Sequence, residues 1–285
     1  MNIGIRQTSI PDTAGSSSIP VVIFYPCEEE MDLIHIGPYS VTAARDAAPT
    51  FRETPLVVIS HGNSGSPWVH RGLAANLAMR GAIVVLPEHV GNSKSDNSLE
   101  GTQKNLTNRP RQLKLSVEAV RNSEDFGPLI TETFGIGHSI GGYTVLAAAG
   151  AKPYAGPHET SSGEVEPLVV EYTGMSSIVV LAPATQWFQG DDSFSEFVIP
   201  TLMITGENDE ITTDIHANIL QSRILDPNIL THRVVSGAGH FSFQSPFPLQ
   251  MTNPHFPPSQ DPAGFDREVY QLELLETVCQ FFGIS

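Results

Sequence analysis

The sequence predicts one α/β domain over residues 1–285, with a mostly parallel central sheet flanked by helices on both faces. Two patterns predict it. Short β-branched runs, each bounded by Gly, Pro or Ser, alternate with stretches whose apolar residues recur at helical spacing, and that alternation implies right-handed βαβ crossovers. The runs are also apolar almost throughout, as strands buried on both faces must be. A chain of 285 residues, 40% of them hydrophobic, suits one large core better than two small ones.

In chain order the strand-like runs are IPVVIFYP (19–26), PLVVISHG (55–62), AIVVLPEH (82–89), TFGIGHS (133–139), SIVVLAPA (177–184), PTLMITGE (200–207) and THRVVSGAGH (231–240). Helical spacing appears over 69–81, 111–126, 141–150, 213–224 and 266–282. Three remaining segments, 91–110, 151–168 and 244–264, are rich in Gly, Pro, Ser or Asn and are predicted as rim or lid loops. No repeat and no linker divides the chain.

Lys and Arg number 15 against 31 Asp and Glu, a formal net charge of −16. That sign repels a phosphate backbone and an anionic membrane, so nucleic acid is not an expected partner and the charge is read as a source of solubility. Cys27 and Cys279 show no pairing pattern and no CxxC, which predicts neither a disulfide framework nor a zinc site. The start lacks a basic segment followed by an apolar one, and no run reaches the roughly 18 apolar residues of a membrane span. The expectation is a soluble, cytoplasmic chain without metal or cofactor that acts on a small molecule.

The run 133–139 leads into Gly137, His138, Ser139, Ile140 and Gly141, a G-x-S-x-G pattern between a strand and an Ala-rich helix. A nucleophile at the tip of so sharp a turn needs neighbours without a β-carbon, which Gly137 and Gly141 supply. The turn aims the Ser139 hydroxyl over the C-terminal edge of the sheet and sets the Ile140 N–H beside any oxyanion formed there. His138 is expected to pack beside the turn. An earlier strand ends in Ser60, His61, Gly62 and Asn63. Gly62 allows close approach, His61 is expected to hold the loop by a hydrogen bond, and the Asn63 N–H is the expected second oxyanion donor, at about 3–4 kcal/mol per donor.

Past the strand 200–207, Asp209 is flanked by Glu207 and Glu210. A short carboxylate best reaches an imidazole Nδ1–H from such a loop, and the spacing from Gly206 favours Asp209, with Glu207 as the alternative. The last strand opens into GAGHF, which sets His240 in a glycine-flanked loop as general base. Of ten histidines, it alone follows a late strand after the acid. His35, His70, His158, His216, His232 and His255 are expected at the surface or in loops, and His89, ending a strand, is expected to line the pocket. Trp187, Phe188 and Phe241 are expected around the acyl group, although core packing fits these aromatics equally well; Tyr143 is read as packing. The order Ser139, Asp209, His240 is the one a nucleophile elbow on this architecture requires.

Together SHGNSG, PEHVG, GHSIGGY, GENDEIT and GAGHF resemble the α/β-hydrolase superfamily. The N-terminal GIRQTSIPDTAGSSSIPVVIFYP and IGPYSVTAARDAAP are similar to the opening of its predicted dienelactone hydrolases, a group related to platelet-activating-factor acetylhydrolases. The resemblance covers most of the chain. It implies the α/β-hydrolase fold and a cofactor-free serine esterase or lipase-like acyl hydrolase, cleaving carboxylic esters through an acyl-enzyme on Ser139. Dienelactone hydrolases carry a cysteine at the elbow, so Ser139 favours ordinary esters over lactone opening. Amide, thioester or lactone cleavage on the same triad, and a catalytically silent binding protein of this fold, are the competing expectations.

Overall fold

Ten of twelve strands join in one sheet in the computed structural model, which describes residues 1–12, 14, 17–50 and 52–285. Along the chain they are β1 (Asn2–Asp12), β2 (Ser17–Cys27), β3 (Asp32–Ile36), β4 (Tyr39–Arg45), β5 (Thr54–Ser60), β6 (Ile83–Pro87) and β7 (Ile130–His138). A separate two-residue pair, β8 (Tyr154–Ala155) and β9 (Glu166–Pro167), precedes β10 (Ser177–Leu181), β11 (Thr201–Gly206) and β12 (Leu230–Val235). The sheet order is β12-β11-β10-β7-β5-β6-β2-β1-β4-β3. From β12 to β6 every pairing is parallel; β2 then pairs antiparallel with both β6 and β1.

Strands β1, β3 and β4 escaped the apolar-run criterion because they are not apolar runs. Strand β1 carries Arg6, Gln7 and Thr8 between its buried residues, and β3 and β4 alternate buried and exposed positions as a sheet margin with one wet face does. Gly37, at φ 54°, makes the left-handed turn that joins β3 to β4.

Because side chains alternate across a strand, each central strand feeds two cores. Leu56, Val58, Ile83, Val85, Ile178 and Val180 pack with Leu113, Val117, Leu146 and Leu220 on one side. Val57, Ile59, Val84, Leu86, Val179 and Leu181 pack with Leu73, Leu77, Leu274 and Val278 on the other. The helices are thereby sorted. Helix α1 (Arg71–Met79) shares its face with the C-terminal helix, while α2 (Gln103–Arg121), α3 (Ile140–Ala148) and α4 (Asp214–Arg223) cover the opposite face; α5 (Arg267–Phe282) closes the chain.

Helix α2 corrects the expectation of a loop through residue 110. Thr102 caps it by accepting from the Asn105 N–H at 3.1 Å, and the helix runs through Pro110. Proline there lacks the N–H that should reach the Leu106 carbonyl. The Tyr143 hydroxyl of α3 supplies the missing donor at 3.0 Å. The first rim segment therefore shrinks to the turns before Gln103. The second is drawn together by the β8–β9 pair, and the third contains two short 3₁₀ turns, Leu249–Met251 and Pro257–Ser259. Its ends are fastened: the Gly72 N–H donates to Ser245 Oγ at 2.9 Å, and Arg267 donates to the Pro258 and Gln260 carbonyls. No helix among the described residues is long and apolar enough to cross a membrane.

Candidate active site

Strand β7 ends one residue before Ser139, which stands at φ 57°, ψ −124° as the N-cap of α3. A residue with a β-carbon adopts that conformation only when its surroundings enforce it. Here the Ser139 N–H donates to the Leu181 carbonyl at 3.0 Å, while the Ser139 carbonyl accepts from the N–H groups of Gly142 at 2.8 Å and Ala184 at 3.0 Å. The glycines make the turn possible. A β-carbon on Gly137 would collide with the Gly141 carbonyl, and one on Gly141 would collide with the Ser60 carbonyl. The Ser139 side chain is half-buried and makes no hydrogen bond among the described residues.

Asp209 and His240 come together. Asp209 lies past the end of β11 and His240 in the loop after β12, and the His240 Nδ1–H donates to Asp209 Oδ2 at 2.9 Å, both side chains being almost wholly buried. Asp209 also accepts from the N–H groups of Ile211 and Thr212 and from the Thr212 hydroxyl, each at 2.8 Å. Burial alone would raise its pKa, but the bonds from His240 and Thr212 outweigh burial and hold it below the ordinary carboxylate value. Gly206 makes the approach possible, since a β-carbon there would collide with the Ala238 carbonyl. Glu207, the alternative acid, faces away and takes the Ser236 hydroxyl at 2.7 Å and the Gly237 N–H at 2.8 Å.

His138 ties the base to the elbow. Its Nε2–H donates to the His240 carbonyl at 2.9 Å, and the two rings lie 4.9 Å apart. Burial pushes the His138 pKa well below its ordinary value, and the neighbouring His240 and His70 push the same way, so the ring is neutral. The turn after β5 lies against this assembly: a β-carbon on Gly62 would sit 3.3 Å from Ser139 Cβ. His61 holds the turn as expected, with Nδ1–H donating to the Gly62 carbonyl at 2.8 Å and Nε2 accepting the His89 N–H at 3.1 Å. Asn63 is exposed, its side chain bonded to Asn92 and Glu100, and Ser64 beside it is left-handed at φ 50°. Ile140 opens α3, where an N–H has no acceptor within the helix.

The predicted pocket residues divide. Phe241 packs edge-on against His240, centroids 5.0 Å apart, and lines with it a cavity of about 270 Å³ under Pro254, Pro257 and Pro262. Trp187 lines a larger cavity of about 840 Å³ with Tyr154, His158 and Gln186, and its indole N–H donates to Glu159. Phe188 does not reach that cavity. It is fully buried between Tyr143 and Phe194, because the chain turns inward straight after Trp187. His89 is likewise fully buried rather than pocket-lining: Nε2 meets Ser60 Oγ at 2.8 Å and Nδ1 meets Gln112 Oε1 at 3.2 Å. His70, expected at the surface or in a loop, is buried, and neither ring nitrogen has a hydrogen-bond partner among the described residues.

Sequence reasoning missed Thr212 and Arg109. Thr212 Oγ1 sits 3.1 Å from His240 Nδ1 and 3.0 Å from the Ala182 carbonyl, fastening the acid loop to the end of β10. Its signal is its place three residues after Asp209, where a side-chain hydroxyl returns to the carboxylate. Arg109 is completely buried in α2 and gives no sequence signal.

Strand order, crossovers and the strained turn at Ser139 are those of the α/β-hydrolase fold. Among solved structures the chain is similar to a ferulic acid esterase from Streptomyces cinnamoneus, with a TM-score of 0.71 and 15% identity, covering 99% of this chain and 89% of that one. No family model and no curated protein matches the sequence.

Proposed function

We propose that the chain is a serine hydrolase that cleaves carboxylic esters, with Ser139 as nucleophile, His240 as general base and Asp209 as the group that orients the base. The observation that carries this reading is the Nδ1–H bond from His240 to Asp209 at 2.9 Å, beside an elbow whose serine is held at φ 57°. That bond fixes the tautomer. With its proton on Nδ1, the ring presents a lone pair on Nε2 to accept the Ser139 proton as Oγ attacks the ester carbonyl. The N–H groups of Asn63 and Ile140 receive the oxyanion; His240 then returns the proton to the leaving alcohol, and water repeats the steps to release the acid. The serine–histidine bond itself belongs to the reaction, since catalytic hydrogen bonds often tighten only in the Michaelis or transition-state complex.

The name of the ferulic acid esterase supports an ester as the bond cleaved. The likeness of the motifs to predicted dienelactone hydrolases and platelet-activating-factor acetylhydrolases supports a cofactor-free acyl hydrolase, and the serine at the elbow favours ordinary esters over lactones. The cavity that Phe241 lines with His240 is a candidate acyl site.

A fluorophosphonate probe tests the nucleophile. Labelling of the wild type, absent in Ser139→Ala, together with turnover of p-nitrophenyl esters in preference to matched amides and thioesters, is the expected result. Folded wild type that neither labels nor hydrolyses any of the three would leave a binding protein of this fold.

A further inference from the structure

Arg109 is a cation sealed in the interior with no carboxylate in salt-bridge range among the described residues. Buried charges are ordinarily paired, because an unpaired one gives up its hydration for nothing of equal strength. This one is met only by neutral acceptors, and they belong to three different segments. The Nε–H donates to Thr144 Oγ1 at 2.8 Å, Nη1 donates to Asn92 Oδ1 at 2.7 Å, and Nη2 donates to the His61 carbonyl and, at 3.3 Å, to Ser60 Oγ. Burial pulls its pKa down to about 9 against the opposing pull of Tyr143, so the guanidinium stays charged at neutral pH.

Each arm continues toward an oxyanion donor. The Thr144 hydroxyl donates to the Ile140 carbonyl at 2.9 Å. Asn92 Nδ2 donates to Asn63 Oδ1 at 2.6 Å. The third arm grips the turn itself at His61, two residues before Asn63 and, through the Ser60 and His61 carbonyls, in close approach to Gly141 at the head of α3. We propose that Arg109 is the positioning residue of the oxyanion hole: one planar fork that sets the spacing between the Asn63 turn and the first turn of α3. The proposal rests on the reading of Asn63 and Ile140 as oxyanion donors.

The geometry explains why arginine and not lysine stands here. A guanidinium presents donors along three edges in one plane, whereas an ammonium is a point charge that cannot span three segments at fixed separation. The positive charge also lies behind the donors, on the side away from solvent, where it adds to the potential at a developing oxyanion. A hole set a fraction of an ångström too wide still binds substrate but fails the transition state, so the defect belongs in kcat.

The test compares wild type with Arg109→Lys and Arg109→Gln on p-nitrophenyl acetate, with kcat expressed per site titrated by fluorophosphonate, so that unfolded protein is not counted. Expected are a fall in kcat of about 10- to 100-fold with KM held within about threefold, and faster amide hydrogen exchange confined to residues 61–65 and 140–144. A merely structural arginine would lower the melting temperature and leave kcat per titrated site within about twofold of wild type, and that result overturns the proposal. Should both variants fail to fold, Thr144→Val and Asn92→Ala each remove one arm; a kcat loss of about 3- to 10-fold in each supports the proposal, and unchanged kcat in both overturns it. Wild type that neither hydrolyses nor labels would refute the proposed function instead, and hydrogen exchange at 61–65 and 140–144 then decides by itself whether Arg109 sets the two turns.

Discussion

Ser139 carries strain in return for its exposure at the turn. At φ 57°, ψ −124° its backbone sits where only glycine is at ease, at a cost of roughly 1–3 kcal/mol. Ser139→Gly should therefore lose all activity yet melt higher than wild type, gaining roughly 1 kcal/mol once glycine's greater freedom in the unfolded chain is subtracted. A variant that is less stable in thermal unfolding would show that the turn is not strained. Asp209 yields a second prediction from its four hydrogen bonds, which keep the carboxylate ionised and the His240 proton on Nδ1. Asp209→Asn keeps the shape but favours the other tautomer, so kcat should fall about 10⁴-fold with little change in KM. A loss smaller than about tenfold would mean that the bond does not fix the tautomer. The pairing of Asp209 with His240 was legible in the sequence because both residues follow strands and sit beside glycines that let the loops meet. Arg109 was not. A buried arginine looks like any helical arginine until the elements around it are packed.

At the scale of elements, spacing located the central strands and each of the five helices among the described residues, α2 only over its second half, because residues buried on both faces, or on one helical stripe, leave a strong period. The first, third and fourth strands lie at the sheet's mixed margin beyond β2 with one side wet, and their apolar content is too diluted to show. The first half of α2, residues 103–110, was hidden for another reason. Pro110 reads as a helix breaker, and the residue that cancels its effect, Tyr143, lies 33 positions further along the chain and donates to Leu106 from another helix. The interaction is open to a double-mutant cycle. Tyr143→Phe leaves the Leu106 carbonyl buried without a donor and should cost about 1–3 kcal/mol in denaturant unfolding. Pro110→Ala restores the backbone N–H, so the same tyrosine change made in that background should cost measurably less. Equal costs in the two backgrounds would show that the hydroxyl does not replace the missing N–H.

Across the whole molecule, the sheet separates two cores, and beside the Arg109 network the region behind the elbow holds four neutral histidines. His61, His70, His89 and His138 are all fully buried, and burial drives each pKa down, that of His70 to about 4. The sign of the consequence is fixed. Between about pH 6.5 and pH 4 the unfolded chain protonates His70 and the native state does not, so stability is complete above pH 6.5 and drains as pH falls toward 4. Asp209 acts lower on the scale, because its depressed pKa keeps its contribution intact until pH falls below the ordinary value of 3.8. Acid sensitivity near pH 4.5 therefore belongs to the histidines. His70 is the cleanest probe, since neither of its nitrogens has a hydrogen bond to lose among the described residues. In His70→Leu, the drop in unfolding free energy from pH 7 to pH 4.5 should be smaller than in wild type by about 2 kcal/mol. Denaturant titrations at the two pH values measure that difference directly, and equal drops in the two proteins would mean that His70 takes up its proton in the native state as readily as in the unfolded chain.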